Sequence, residues 1–521
     1  MTIMNLLLLA CFMCLLSGLE AQSQGCHPND LAALKEFAGN LTNGSIISAW
    51  SNDLSCCNWD GVVCGGSRVI MLNLSRNGLK GVISESLGNL DQLRLLDLSH
   101  NDLEGGLPSD LSNLQLLESL DLSHNKLSGQ VVGALIKLRS IQSLNLSSNL
   151  FTGNFTDFGK FPNLVEFIII NNSFSGELDS QLCSISRKIQ VVDLSLNRFS
   201  GGLEGLDNCS TSLQQLHLDE NSFSGPLPES LYSVTSLEQL SFSANNFSGQ
   251  LSPQLSKLSN LKSLVLSGNV FSGTLPNVFG NLTKLEQLVA HSNSFSGPLP
   301  SSLAQCSKLR VLDLGKNSLS GVIDLNFTGL PNLYTLDLAS NHFYGPLPDS
   351  LSTSQELKIL CLAKNELTGH VPECYANLTS LVFLSLSNNS LTSLSGALSV
   401  LQNCRNLTTL ILTKNFHGEK IPTNVGGFQN LMVFALGNCG LNGQIPSWLL
   451  NCSKLEVLDL SWNHLNGSIP PWIGQMDNLF YLDFSNNSLT GEIPKSITEL
   501  KGHITAKSNP PSLNSSTSIP L

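Results

Sequence analysis

The stretch LRLLDLSHN at residues 93–101 contains the pattern that decides the fold of this chain. Its apolar positions are Leu93, Leu96 and Leu98, and Asn101 closes the phrase. The alternation around Leu96 and Leu98 predicts a short strand whose leucines point inward while the residues between them face outward. Because the amide of Asn101 can both donate and accept hydrogen bonds, we expect it to bind the backbones of adjacent coils.

The same phrase recurs along the chain at a mean spacing of about 24 residues, the range of leucine-rich repeats. One coil cannot bury its own leucine face, whereas a stack of coils can. The sequence therefore predicts a leucine-rich-repeat solenoid of the plant extracellular type, a right-handed superhelix with one long parallel concave β-sheet and short 3-10 or loop segments on the convex side. We number the coils 1 to 18 by the closing position of the phrase, the ladder position, at residues 77, 101, 125, 149, 172, 197, 221, 245, 269, 293, 317, 341, 365, 389, 415, 439, 463 and 487.

Two features interrupt this regularity. Only Cys439 replaces asparagine at the ladder position, and a thiol forms weaker hydrogen bonds than an amide does. The step from Asn389 to Asn415 is 26 residues, and LTSLSGALSVLQNC at 391–404 replaces the usual glycine-proline phrase, such as SFSGPLP at 222–228. We expect this coil to bulge, with a helical turn near residues 397–401.

The two ends of the chain differ from the repeats. An apolar run at residues 6–19, with Ala21 and Ser23 at cleavage spacing, favours a signal peptide over residues 1–23 and a secreted protein, although a membrane anchor is the alternative reading. We expect an N-terminal cap at 24–67, repeats at 68–500 and a disordered tail at 501–521, with no membrane span after the signal. The formal net charge of -12 argues against nucleic acid as a partner.

In a secreted protein, cysteines can form disulfides and N-x-[ST] sequons can be glycosylated. The mature N-terminus contains Cys26, Cys56, Cys57 and Cys64, which we expect to form two disulfides in one of three pairings. Many of the 17 sequons fall in loops. We predict glycosylation at Asn40, Asn43, Asn73, Asn145, Asn154, Asn208, Asn246, Asn281, Asn326, Asn377, Asn406, Asn451 and Asn466.

No catalytic motif is present in the sequence, so we predict a binding protein that is not an enzyme and has no cofactor or metal. Its function must then come from a surface, and in a solenoid the concave strand face is the usual one. Lys316, Lys364 and Lys414 precede the ladder position in three coils. They form either a basic track for an anionic ligand or an ordinary solvated surface.

Several stretches resemble a known family. CHPNDLAALKEFAG at 26–39 and CCNWDGVVC at 56–64 resemble the N-terminal cap of plant receptor kinases. The stretches at 381–422 and 437–494, including the irregular 26-residue step, resemble the phytosulfokine receptors, a group of leucine-rich-repeat receptor kinases. The resemblance covers essentially the whole chain, and the closing SSTSIPL at 515–521 is closest to one member of the group.

The resemblance implies a receptor ectodomain for a small secreted peptide that carries sulfated tyrosines, with a co-receptor kinase ectodomain as a further partner. In that family the peptide lies on late coils beneath an island segment that adds a strand to it. The family's arginine for sulfate falls on Gly315, where Lys316 or Lys364 could substitute, and a polar position falls on Cys361. The remaining peptide-contacting positions fall on Ser385, Ser387, Thr413, Asn438 and Asp459.

The length departs from the family. The chain stops at Leu521, where the island would begin, and this suggests a truncated product that binds the peptide weakly or not at all. The protein would then be secreted, or lie at the plasma membrane if a longer product continues past Leu521. The alternative is a soluble leucine-rich-repeat interaction protein, either an inhibitor of microbial enzymes or an immune decoy.

Overall fold

The computed structural model describes residues 25–50, 55–154, 158, 160–178, 185–203 and 212–500. The expected signal peptide, the sequon at Asn208 and the expected tail lie outside the described residues. Two compact units divide the chain after Ser222. Each unit is a stack of coils of one design, as the repeat predicted.

Each coil contributes one short strand to a parallel sheet. The middle residue of each strand faces inward. For example, Leu96 and Leu120 pair in register on adjacent strands, and both are buried. In the first unit the strands are Arg68–Asn73, Leu95–Asp97, Ser119–Asp121, Ser143–Asn145, Glu166–Ile168, Val191–Asp193 and Gln215–His217. In the second unit they are Gln239–Ser241, Ser263–Val265, Gln287–Val289, Val311–Asp313, Thr335–Asp337, Ile359–Cys361, Phe383–Ser385, Thr409–Ile411, Val433–Ala435, Val457–Asp459 and Tyr481–Asp483.

A second line of strands follows the ladder position, and the sequence reasoning did not predict it. In SFSG at 222–225 only Phe223 is buried, so the alternation that reveals a strand is too short to recognise. In the first unit these strands are Lys80–Val82, Asp102–Gly105, Lys126–Gln130, Leu150–Asn154, Ser173–Glu177 and Arg198–Gly201. In the second unit they are Ser222–Gly225, Asn246–Gly249, Val270–Thr274, Ser294–Gly297, Ser318–Val322, His342–Gly345, Glu366–Gly369, Ser390–Leu391, Asn442–Gly443 and His464–Leu465.

Short helices complete the coils, and the predicted helical turn is confirmed as the helix Leu394–Leu401. It buries Leu394, Leu398 and Leu401 on one face, and the Glu419 carboxylate caps it by accepting the Leu394 N–H at 2.7 Å. The other α-helices are Pro28–Gly39, Ile46–Ala49 and Val132–Leu135. The 3-10 helices are Cys56–Asn58, Glu85–Asn89, Ser109–Asn113, Glu229–Ser233, Pro253–Lys257, Phe279–Asn281, Ser301–Gln305, Phe327–Gly329, Asp349–Thr353, Glu373–Asn377, Ser447–Asn451, Pro471–Gln475 and Lys495–Glu499.

The asparagine ladder forms as predicted. The buried Asn341 accepts the Leu319 N–H through Oδ1 at 2.9 Å, and its Nδ2 donates to the carbonyls of Leu314 and Leu338 at 3.0 and 3.1 Å. At the exceptional position, the Cys439 sulfur lies 3.5 Å from the Asn415 nitrogen and 3.7 Å from the Leu412 carbonyl oxygen. These sulfur contacts are longer and weaker than those of an amide.

The N-terminal cap contains the two predicted disulfides, and the structure selects the pairing Cys26–Cys56 and Cys57–Cys64. The remaining strands here are Leu41–Asn43, antiparallel to Lys80–Val82, and Val62–Gly65, antiparallel to Arg68–Asn73. An ion pair joins the cap helix to coil 1: the fully buried Asp30 accepts from Nε and Nη2 of the partly exposed Arg68 and from the Val69 N–H at 2.8 Å. The cap is therefore fixed to the first strand of the stack.

Candidate ligand-binding surface

The outward side of the long-sheet strands in the second unit, which we call the sheet face, contains the residues singled out by the sequence. Ser385 pairs in register with Cys361 on one side and Ile411 on the other, and Asp459 pairs with Ala435. Parallel strands lie about 4.8 Å apart. The predicted residues on coils 14 to 17 are thus brought onto one continuous surface, with Lys364 on the coil before them.

The hydroxyl residues lie at the centre of this surface. Ser385 and Ser387 have their Oγ atoms 3.3 Å apart, and the Asn388 N–H donates to the Thr413 carbonyl at 2.8 Å, which holds coils 14 and 15 together. Ser387 and Thr413 are half-buried, whereas Ser385 is only 5% exposed. Ser387 and Thr413 can therefore offer hydroxyl groups to a ligand, whereas the buried Ser385 contacts Ser387 beside it.

The acidic residue is partly engaged within its own coil. Asp459 Oδ1 accepts from the N–H and the Oγ of Ser461 at 2.9 and 2.6 Å. An added Cβ on Gly437 would lie 2.9 Å from both carboxylate oxygens, so a larger side chain there would press on Asp459. Oδ1 is fixed by Ser461, and Oδ2 remains as an acceptor for a donor on a ligand that crosses coils 16 and 17.

The residue just before the ladder position has a left-handed backbone in coil after coil, and the sequence reasoning missed this. Lys316, Lys364, Asn388, Lys414 and Asn438 all have φ between 51° and 56°. We call this position the left-handed slot. Its residues in these coils are exposed at the margin of the sheet face. The sequence gives only a weak signal for it: Asn, which tolerates this conformation, recurs at Asn171, Asn388, Asn438 and Asn486, but most coils place another residue type at the slot.

The two predicted lysines have different electrostatic surroundings. Lys316 lies near two carboxylates of adjacent strands, Asp313 and Asp337, and its charge lowers the pKa of each. Burial has the larger effect and raises the pKa of Asp337 to about 6. Burial likewise raises the pKa of Asp313, whose Oδ2 is 4.0 Å from His291 Nε2. Lys364 has no carboxylate partner among the described residues, so it is the better candidate for an anionic ligand.

Gly315 and Cys361 are the two departures from the family pattern, and the structure explains why neither binds an anion. An added Cβ on Gly315 would lie 3.2 Å from Asp337 Oδ1 and 3.5 Å from Asp313 Oδ1, so negative charge already surrounds this point. Burial raises the pKa of the Cys361 thiol to about 12, which keeps it neutral. Cys361 packs with Ala339 and Ala363, and the half-buried Phe383 packs against this cluster.

Among the described residues, the sequon asparagines are exposed with one exception. Asn145 is half-buried, its Nδ2 donates to Asp121 Oδ2 at 3.1 Å, and its Oδ1 accepts from the Ser147 N–H, so a glycan there would have to displace existing contacts. The other described residues for which glycosylation was predicted are exposed: Asn40, Asn43, Asn73, Asn154, Asn246, Asn281, Asn326, Asn377, Asn406, Asn451 and Asn466.

Family comparisons agree with the observed architecture. The leucine rich repeat N-terminal domain family matches residues 27–65. The Leucine Rich Repeat family matches residues 68–90, 92–114, 116–138, 212–234, 236–258, 260–282, 308–330, 332–354, 454–476 and 478–500.

Several of the similar proteins are plant receptors. Phytosulfokine receptor 2 of Arabidopsis thaliana is 74% identical over 446 residues, which are 85% of this chain and 43% of that protein. The chain thus spans less than half the length of this relative. Among solved structures, PEPR1-AtPEP1 aligns with a TM-score of 0.72 at 27% identity, covering 91% of this chain and 78% of that one. The Arabidopsis receptor kinase HAESA, in complex with the peptide hormone IDA and the co-receptor SERK1, aligns with a TM-score of 0.64 at 27% identity, covering 91% and 92%.

A membrane-spanning helix would need a long apolar stretch. Within the described ranges no helix has the length and apolar character for this.

Proposed function

Because the chain belongs to the leucine-rich-repeat receptors of plants, we propose that it is the ligand-binding part of a receptor for a small tyrosine-sulfated peptide. Its similarity to phytosulfokine receptor 2 supports this, and so do the peptide complexes among its structural neighbours. The protein acts outside the cell, where such a ligand is found. A second leucine-rich-repeat kinase ectodomain is the expected partner, by analogy with the HAESA complex.

The observation that carries the proposal is the order of side chains across coils 13 to 17. Lys364 supplies a cation free of carboxylate partners, Ser387 and Thr413 supply hydroxyls, and Asp459 supplies an acceptor. An extended peptide that crosses parallel strands meets one coil about every 4.8 Å. In this arrangement a sulfate of the peptide binds Lys364, and the backbone amides of the peptide form hydrogen bonds with the hydroxyls of Ser387 and Thr413.

The structure favours Lys364 over Lys316 as the anion-binding residue. The Lys364 backbone N–H donates to the Ser387 backbone carbonyl at 2.7 Å, so the two residues lie on adjacent coils and the exposed Lys364 side chain starts next to Ser387. Lys316 is two coils further back, next to Asp313 and Asp337, which repel a sulfate. The charge of Lys316 instead partly neutralises Asp313 and Asp337.

A binding titration tests the proposal with the tyrosine-sulfated pentapeptide and its unsulfated form as probes. We expect Lys364→Ala to weaken binding of the sulfated peptide about tenfold, since a hydrogen bond to a charged group contributes about 1.5 kcal/mol or more. Lys257→Ala is the matched control, because Lys257 is exposed at the end of a 3-10 helix on the other side of the coil. Equal affinity for both peptides, or equal effects of the two substitutions, contradicts the proposal.

A further inference from the structure

One sequon lies within the proposed binding surface. Asn388 begins the sequence Asn388-Asn389-Ser390 and occupies the left-handed slot of coil 14, directly after Ser387. Its side chain is exposed and makes no hydrogen bond to any described residue. Asn145, the half-buried sequon residue on a strand of the first unit, is instead held by Asp121. Asn388 is therefore free to carry a glycan without breaking a contact of the fold.

The neighbours of Asn388 in the same slot are Lys364 and Lys414, neither of which has a carboxylate partner among the described residues. The Lys364 N–H donates to the carbonyl of Ser387, and the Asn388 N–H donates to the carbonyl of Thr413, the residue before Lys414. The slots of coils 13, 14 and 15 are thus adjacent, about 5 Å apart at the backbone. A glycan attached at the middle slot starts between Lys364 and Lys414.

We propose that an N-linked glycan on Asn388 covers the surface between Lys364 and Lys414 and excludes an anionic ligand from coils 13 to 15. An N-glycan is a bulky, hydrated group that is many times larger than the two lysine side chains beside it. Lys364, Asn388 and Lys414 are all exposed at the margin of the sheet face, so a sugar attached to the middle slot lies beside both lysines. The fraction of molecules occupied at this one sequon then sets the fraction able to bind.

The shielding does not depend on the identity of the ligand, whereas its effect on binding rests on the proposed function. The two parts are therefore measured separately on the secreted glycoprotein. Mass spectrometry of glycopeptides gives the occupancy of Asn388. Labelling with a bulky amine-reactive reagent then gives the relative rates at Lys364, Lys414 and Lys316, and Lys316 serves as the internal reference two coils away from Lys364.

Ser390→Ala removes the sequon without changing the left-handed residue itself, and Asn388→Gln provides a second variant. We expect labelling of Lys364 and Lys414 to rise several-fold relative to Lys316 in both variants. Asn377→Gln is the matched control, because Asn377 is an exposed sequon residue at the end of the 3-10 helix Glu373–Asn377. It should leave the ratio unchanged.

The combined results distinguish the shielding proposal from the proposed function. An unoccupied Asn388, or labelling that does not change in Ser390→Ala, overturns the proposal. Faster labelling together with stronger binding of the sulfated pentapeptide supports both the shielding and the proposed function. Faster labelling with no sulfate-dependent binding in either form supports the shielding and contradicts the proposed function.

Discussion

Replacing Asn341 with alanine tests how much the asparagine ladder stabilises the stack. The side chain is 6% exposed and accepts the Leu319 N–H at 2.9 Å, so the substitution leaves a buried donor without its acceptor. The carbonyls of Leu314 and Leu338 each keep another donor, from Asn317 and Asn365. The cost is therefore dominated by one orphaned N–H, about 1–3 kcal/mol, plus the lost packing of the amide, for a total of about 2–4 kcal/mol.

The assay is urea-induced unfolding followed by circular dichroism, with hydrogen exchange of the amides of coils 11 and 12 as a local readout, because repeat arrays open in parts. Asn332→Ala is the matched control. Asn332 is exposed and its Nδ2 donates to the Ser307 carbonyl at 2.9 Å, so we expect a loss of about 0.5 kcal/mol or less. If the two substitutions cost the same, or if Asn341→Ala leaves Leu319 exchange unchanged, the ladder does not have the role assigned to it.

Three further predictions follow from the same contacts. Asp30→Asn should lower the free energy of unfolding by about 2 kcal/mol, because the buried carboxylate that accepts from Arg68 and from the Val69 N–H loses its charge. Asp91→Asn, at the exposed partner of Arg68, should cost under about 1 kcal/mol. Thermal denaturation measures both changes, and similar losses would contradict a special role for Asp30. Glu419→Ala should lower the free energy of unfolding by about 1 kcal/mol, because the Glu419 carboxylate accepts the N–H groups of Ser393 and Leu394 at 2.7 Å. Hydrogen exchange at these two amides should become faster. Unchanged exchange would mean that the helix does not need this cap. Because the folded protein holds the Asp337 proton up to a pKa of about 6, against 3.8 for the ordinary group, the charged form destabilises the fold and stability falls as pH rises from about 4 through about 6. The melting temperature of Asp337→Asn should thus match that of the unsubstituted protein near pH 4 and exceed it at pH 7, and a constant difference would refute the assignment.

The buried side of the fold was predictable because the sequence pattern that encodes it is short and recurs in every coil. Leu96 and Asn101 sit at fixed offsets, and the burial of the one and the ladder bonds of the other follow from the offset. The helix Leu394–Leu401 was predictable for the same reason, since the 26-residue step left room for it. The second line of strands was not, because strands such as Ser222–Gly225 have a single buried residue and are recognised only from their neighbours.

The candidate surface was predictable in position but not in its electrostatics. The coil that holds Ser387 or Thr413 follows from counting repeats. The difference between Lys316 and Lys364 does not, because it depends on Asp313 and Asp337, which the adjacent strands bring beside Lys316. The burial of Ser385 likewise depends on how coils 13 to 15 pack, which no single repeat encodes.

The most direct test of the central claim is photochemical crosslinking of a tyrosine-sulfated pentapeptide that carries a photoreactive group, followed by mass-spectrometric mapping of the adducts. Crosslinking registers weak binding, and the unsulfated peptide at the same concentration is the control. We expect adducts within residues 359–463, on coils 13 to 17, that excess sulfated peptide displaces and unsulfated peptide does not. Adducts confined to the coils before residue 300, or equal displacement by both peptides, would contradict it.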